Sequence, residues 1–121
     1  MLTPVTVVDD SALARKIMIK SLPAEWNVDI TQAANGVEAL EAYRAGKAHV
    51  MFLDLTMPVM DGYQTLEHLK KEGLNTMVIV VSADIQPIAH ERVLALGAMA
   101  FIKKPADTDK VRKILTEFGI L

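Results

Sequence analysis

Three aspartates, a serine and a lysine stand where separate apolar runs of this 121-residue chain end. Asp9 and Asp10 close the run from Val5 to Val8, and Asp54 closes the run from Val50 to Leu53. Ser82 follows Met77 to Val81, and Lys104 comes just after Met99 to Ile102. Two carboxylates about 4 Å apart repel by about 4 kcal/mol at an effective dielectric near 20. A trio sharing one crevice therefore takes up a proton or binds a cation. Hard oxygen donors select Mg²⁺ or Ca²⁺, and a few carboxylates with waters and room for phosphate point to Mg²⁺. Carboxylate, divalent cation, lysine and hydroxyl together meet the needs of phosphoryl transfer. Asp54 could take the phosphoryl group as an acyl phosphate while Ser82 and Lys104 hold its oxygens. Taken singly, each has a plainer reading: Asp9 or Asp10 as a helix cap, Ser82 as a turn residue, Lys104 as a surface lysine.

For these groups to meet, the runs must lie side by side with their carboxyl ends together. Strand-length apolar runs alternate with helix-period segments at about Ser11–Leu22, Gly36–Ala45, Gly62–Glu72, Pro87–Leu96 and Asp107–Phe118. Gly46, Gly73 and Gly97 each follow a helical segment, where a C-terminal cap often needs positive φ. Asn35 with Glu38 fits a capping box, and Asp107 or Thr108 can cap the last helix. Strict β/α alternation with short connections predicts an α/β domain: a doubly wound parallel sheet of five strands, with five helices on its two faces. The first, third and fourth strands are nearly continuous in apolar residues, as in central strands buried on both faces. Asn27 to Gln32 alternates and reads as an edge strand. An order of 2-1-3-4-5 satisfies this and puts Asp9, Asp10 and Asp54 at the topological switch point, where ligands bind in such sheets.

The motifs Val-Val-Asp-Asp-Ser at 7–11, Phe-Leu-Asp-Leu-Thr-Met-Pro-Val-Met-Asp-Gly at 52–62, Val-Ser-Ala at 81–83 and Lys-Lys-Pro at 103–105 resemble the receiver domain of two-component response regulators. The resemblance spans residues 1–121 in order and spacing, as one domain, and is closest in kind to single-domain chemotaxis-type regulators. It implies a flavodoxin-like fold and a signalling domain, with no enzymatic output, in which Asp54 accepts a phosphoryl group from a histidine kinase. It further implies Asp10 and Asp54 as direct Mg²⁺ ligands, Asp9 acting through water, and the main-chain carbonyl of Thr56 completing the set. By the same resemblance Ser82 turns toward the phosphoryl oxygens, Lys104 pairs with them, Pro105 follows a cis peptide, and the Phe101 rotamer reports activation. The side chains of Thr56 and Asp84 fall where dephosphorylation is tuned, although Asp84 could equally cap the helix near Pro87. Asp61-Gly62 belongs to the turn after the phosphorylation loop. The implied output is a changed face of fourth helix, fifth strand and fifth helix. That face would control a downstream target or meet a phosphatase, as a monomer or a weak phosphorylation-dependent dimer.

Composition narrows the alternatives. About half the residues are apolar and the net charge is −2, so a packed core is expected and a nucleic-acid-binding basic stripe is not. There are no cysteines, which removes disulfides and thiolate chemistry. No signal peptide or apolar run of membrane-spanning length is present, so a cytoplasmic protein is expected. His49, His68 and His90 lack metal-ligand spacing, the methionines fill core gaps, and Trp26 reads as a packing residue. Three other functions compete. A phosphatase with an aspartate nucleophile wants a second aspartate where Thr56 stands. A flavin carrier wants a hydroxyl-rich phosphate loop where Asp9 and Asp10 stand. A phosphorylation-independent scaffold, or a receiver cut from a larger regulator, would share the fold.

Overall fold

The computed structural model describes residues 2–83 and 86–121. Five strands, β1 (Thr3–Val8), β2 (Val28–Ala33), β3 (Val50–Leu53), β4 (Met77–Ser82) and β5 (Ala100–Lys103), alternate with five helices. The helices are α1 (Ala12–Lys20), α2 (Gly36–Arg44), α3 (Gly62–Lys71), α4 (Pro87–Ala95) and α5 (Thr108–Glu117). All the strand pairs are parallel and the order is β2-β1-β3-β4-β5. The fold is the expected flavodoxin-like α/β arrangement, and β2 is an edge strand with a half-buried pattern.

Period-two alternation along each strand divides the core in two. Val5, Val7, Val50, Phe52, Ile79, Val81 and Ile102 face Met18 of α1 and Val111 and Leu115 of α5. Val8, Met51, Leu53, Val78 and Val80 face Leu40 of α2, Leu66 and Leu69 of α3 and Val93 of α4. Thr6 is a buried polar residue in this apolar setting. Its hydroxyl donates to the Lys47 carbonyl at 2.8 Å, which satisfies it. Trp26 is buried and meets Phe52 edge to face, with centroids 6.3 Å apart.

Helix ends follow the sequence signals, with one difference. Gly46, Gly73 and Gly97 have φ of 77°, 95° and 102°. Asp107 caps α5. Asn35 caps α2, but the Glu38 carboxylate returns to the N–H of Ala34 rather than closing a box on Asn35. The complete capping box belongs instead to α3, where Asp61 and Gln64 bond reciprocally. Helices α2, α3 and α4 begin at the expected residues, while the other helix edges are one or two residues tighter than the periodicity suggests. β1 begins at Thr3, because Thr3 and Pro4 pair in register with Val28 and Asp29.

Candidate functional site

Register brings the acids together. Val8 pairs with Leu53, so Asp9 and Asp54 follow at the same level on adjacent strands. The Asp54 N–H donates to the Val8 carbonyl at 3.0 Å, and the Asp9 N–H donates to the Ala33 carbonyl at 3.0 Å. Both aspartates are 6 % exposed, while Asp10 is exposed. Carboxylate oxygens of Asp9, Asp10 and Asp54 lie within 4.8 Å of one another. Helix capping does not consume them, since the Ser11 hydroxyl is the N-cap of α1. Asp9 accepts the Ser11 N–H at 2.9 Å through Oδ1, which leaves Oδ2 directed elsewhere.

That second oxygen meets Lys104. Lys104 Nζ lies 2.7 Å from Asp9 Oδ2 and 3.2 Å from Asp54 Oδ1. Its position comes from the β4–β5 edge, where the Lys104 N–H donates to the Ser82 carbonyl at 2.8 Å. The Lys104–Pro105 bond that follows is cis. Ser82 is buried at the end of β4, one residue beyond the level of Asp54, since Leu53 pairs with Val80. Phe101 is half-buried on β5. Thr56 is exposed in the loop two residues past Asp54, and Asp84 lies outside the described residues.

The electrostatics follow from burial and like charge. Burial, reinforced by the Asp9 charge, pushes the Asp54 carboxyl above its ordinary value, with Lys104 and the Leu55 backbone opposing. Burial disfavours the Lys104 ammonium, but its hydrogen bond to Asp9 and the charge of Asp54 outweigh that and raise its pKa. Lys104 pairs with two of the three carboxylates, Asp9 and Asp54, and the exposed Asp10 stands beside them. The donors of the site are hard carboxylate oxygens within reach of a single ion, so the residues fit a divalent cation such as Mg²⁺.

Three contributors to this geometry escape a reading of spacing alone. Arg15 on α1 donates to the Asp9 carbonyl at 2.6 Å and to Gln32 Oε1 at 2.9 Å, tying β1, α1 and β2 at the mouth of the site. Gly62 has no room for a Cβ, which would collide with the Asp54 carbonyl and sit 2.7 Å from Leu55 Cα. The start of α3 thus packs directly on the backbone of Asp54. Third, Val7, Phe52, Met18 and Pro105 help wall a cavity of about 230 Å³ that Asp9, Asp54 and Lys104 close at one end. Asp9, Asp54 and Lys104 continue the alternation of Val7, Phe52 and Ile102, which is why they share that face.

The model of the response regulator receiver domain matches residues 5–116. The chain belongs to that family. Among similar proteins, the receiver shares 32 % identity over 114 residues with the chemotaxis protein CheY of Thermotoga maritima, covering 93 % of this chain and 94 % of that one. It shares 39 % identity over 121 residues with a protein-glutamate methylesterase/protein-glutamine glutaminase of Halalkalibacterium halodurans, covering 93 % of this chain. It spans only 35 % of that relative's length. Among solved structures, the receiver is similar to a chain in the CheX-CheY-BeF3-Mg+2 complex from Borrelia burgdorferi, at TM-score 0.87 and 31 % identity over 98 % of this chain and 90 % of that one. Among the described residues, no helix is long and apolar enough to cross a membrane.

Proposed function

We propose that this receiver, as one domain over residues 1–121, is a phosphorylation-controlled signalling switch in which Asp54 is the phosphoacceptor. The observation that carries this reading is the Asp54 carboxylate: buried at a strand end, 3.2 Å from Lys104 and flanked by two further acids. Asp10 and Asp54 would hold Mg²⁺, with Asp9 and the Thr56 carbonyl completing its surroundings; when bound, the ion neutralises the acids and draws charge from the transferring oxygens. Asp54 is the nucleophile. One of its oxygens forms a bond to phosphorus as the bond from phosphorus to the donor histidine nitrogen breaks, and the imidazole leaves with that electron pair. Lys104, already at the Asp54 oxygen, pairs with the phosphoryl group as it arrives. Ser82 turns inward to donate to another phosphoryl oxygen, and Phe101 follows it. The side chains of Thr56 and Asp84 tune the rate of dephosphorylation.

Phosphorylation replaces the single charge of the Asp54 carboxylate with an acyl phosphate that carries nearly two, and adds new acceptor oxygens. The gain is local, so output depends on a partner that binds the altered face of α4, β5 and α5 more tightly than the resting one. The partners are a histidine kinase that donates the phosphoryl group and a cytoplasmic target or phosphatase that reads it, and the chain itself turns over no external substrate. The similarity to chemotaxis proteins supports a place in such a pathway. Borohydride reduction after treatment with acetyl phosphate tests the assignment, because it converts an aspartyl phosphate to homoserine. Peptide mapping should find homoserine at position 54; phosphoserine at position 82 would refute it.

A further inference from the structure

The buried stripe of α4 is Ala89 and Val93. His90, one step around the helix from Ala89, therefore stands at the rim of that stripe and is exposed. On the facing edge strand β5, Ala100 and Ile102 turn to the α1/α5 side, which leaves Phe101 toward α4. The two rings stack, with centroids 5.2 Å apart and planes at 28°. Phe101 also lines a surface groove with Lys103, Lys110, Lys113 and Glu117. It is thus held at the surface edge of β5, with an imidazole over it.

We propose that His90 is a positioning residue that retains Phe101 in this half-buried placement at the edge of β5, and that protonation of His90 strengthens the hold. The inference rests on the switch described above and adds a proton as a second input to it. A neutral imidazole contributes aromatic stacking. An imidazolium adds the attraction of a cation for the ring face. Lowering the pH therefore favours the resting placement of Phe101 and opposes its following Ser82 inward. The described charged groups around the pair are Glu91 and Arg92 on α4, Lys103 on β5, and Lys110, Lys113 and Glu117 on α5. Arg92 is occupied over the Tyr63 ring of α3, 3.9 Å from its centroid. Lysine, arginine and glutamate side chains ordinarily keep their charge between pH 5 and 8, whereas histidine changes its charge there.

The test titrates the full chain with beryllofluoride and Mg²⁺ at pH 6 and pH 8, following the Phe101 ring resonances by NMR. His90→Ala removes ring and proton together, while His90→Phe keeps a stacked ring that cannot be protonated. Relative to the wild type at pH 8, His90→Ala should bind beryllofluoride about fivefold more tightly, and His90→Phe should restore wild-type affinity. Between pH 8 and pH 6 the wild type should lose about threefold more affinity than His90→Phe. That difference cancels the pH dependence of the acids themselves. His90→Ala with unchanged affinity and unchanged Phe101 resonances would overturn the positioning role. Equal pH dependence of the wild type and His90→Phe would overturn the proton input. A wild type that ignores beryllofluoride at both pH values would refute the switch itself, and the inference with it.

Discussion

Asp54 is destabilised in its ionised state. Burial and the neighbouring Asp9 charge raise its pKa from the ordinary 3.8, so the folded chain binds that proton more tightly than the unfolded chain. The contribution of Asp54 favours folding at low pH and is lost as pH rises through the raised value. Above it, ionised Asp54 costs stability. Asp54→Asn should therefore increase the unfolding free energy by about 1–2 kcal/mol at pH 7 without divalent cation. The gain should narrow on acidification as the wild type takes up its proton; urea titrations at pH 7 and at successively lower pH measure it. A variant less stable than the wild type at pH 7 would mean Lys104 already compensates the charge in full. The acids, Ser82 and Lys104 were legible as site candidates because strand-end chemistry leaves a mark in spacing. Arg15 was not, since an arginine on a helix carries no sign that it bonds the Asp9 carbonyl.

Among elements, the loop from Asp54 to α3 carries tight local constraints. Val59 has a φ of 68° and is 82 % exposed. A β-branched residue is disfavoured there, and no burial compensates for it. Val59→Gly should raise stability by about 0.5–1 kcal/mol, the relieved strain exceeding the added chain entropy; thermal unfolding checks it. Gly62→Ala acts in the opposite direction. Its Cβ would press on the Asp54 carbonyl and Leu55, so it should cost about 1–3 kcal/mol and slow modification at Asp54 as well. Sequence pattern located this turn through Asp61-Gly62 but not the strain, because a valine in a loop reads as ordinary. Cap partners were similarly half visible. Asn35 was identifiable as a cap, while the return of Glu38 to Ala34 depends on the path of the chain entering α2.

Across the whole molecule, the sheet order was legible because burial on two faces makes strands continuously apolar, whereas an edge strand such as β2 alternates. The same order carried Lys104 to the acids, as the strand ends implied. The His90–Phe101 stack was not legible, because it exists only once α4 lies over the edge of β5. The same assembly makes the site a linkage point between cation and fold. A divalent ion that binds only the folded acid cluster should stabilise the whole chain, by about 1.4 kcal/mol at tenfold excess over its dissociation constant. Urea unfolding with and without Mg²⁺ should show that increase, and Asp10→Asn should abolish most of it while leaving the fold intact.

The most direct measurement is intact-mass spectrometry after incubation with acetyl phosphate, with and without Mg²⁺, on the wild type and Asp54→Asn. Transfer breaks the phosphorus–oxygen bond of the donor, joins phosphorus to an Asp54 oxygen and releases acetate. The expected result is a Mg²⁺-dependent gain of a single phosphoryl group that Asp54→Asn lacks. An equal gain in that variant, or no gain in a wild type shown to bind Mg²⁺, would contradict Asp54 as the phosphoacceptor.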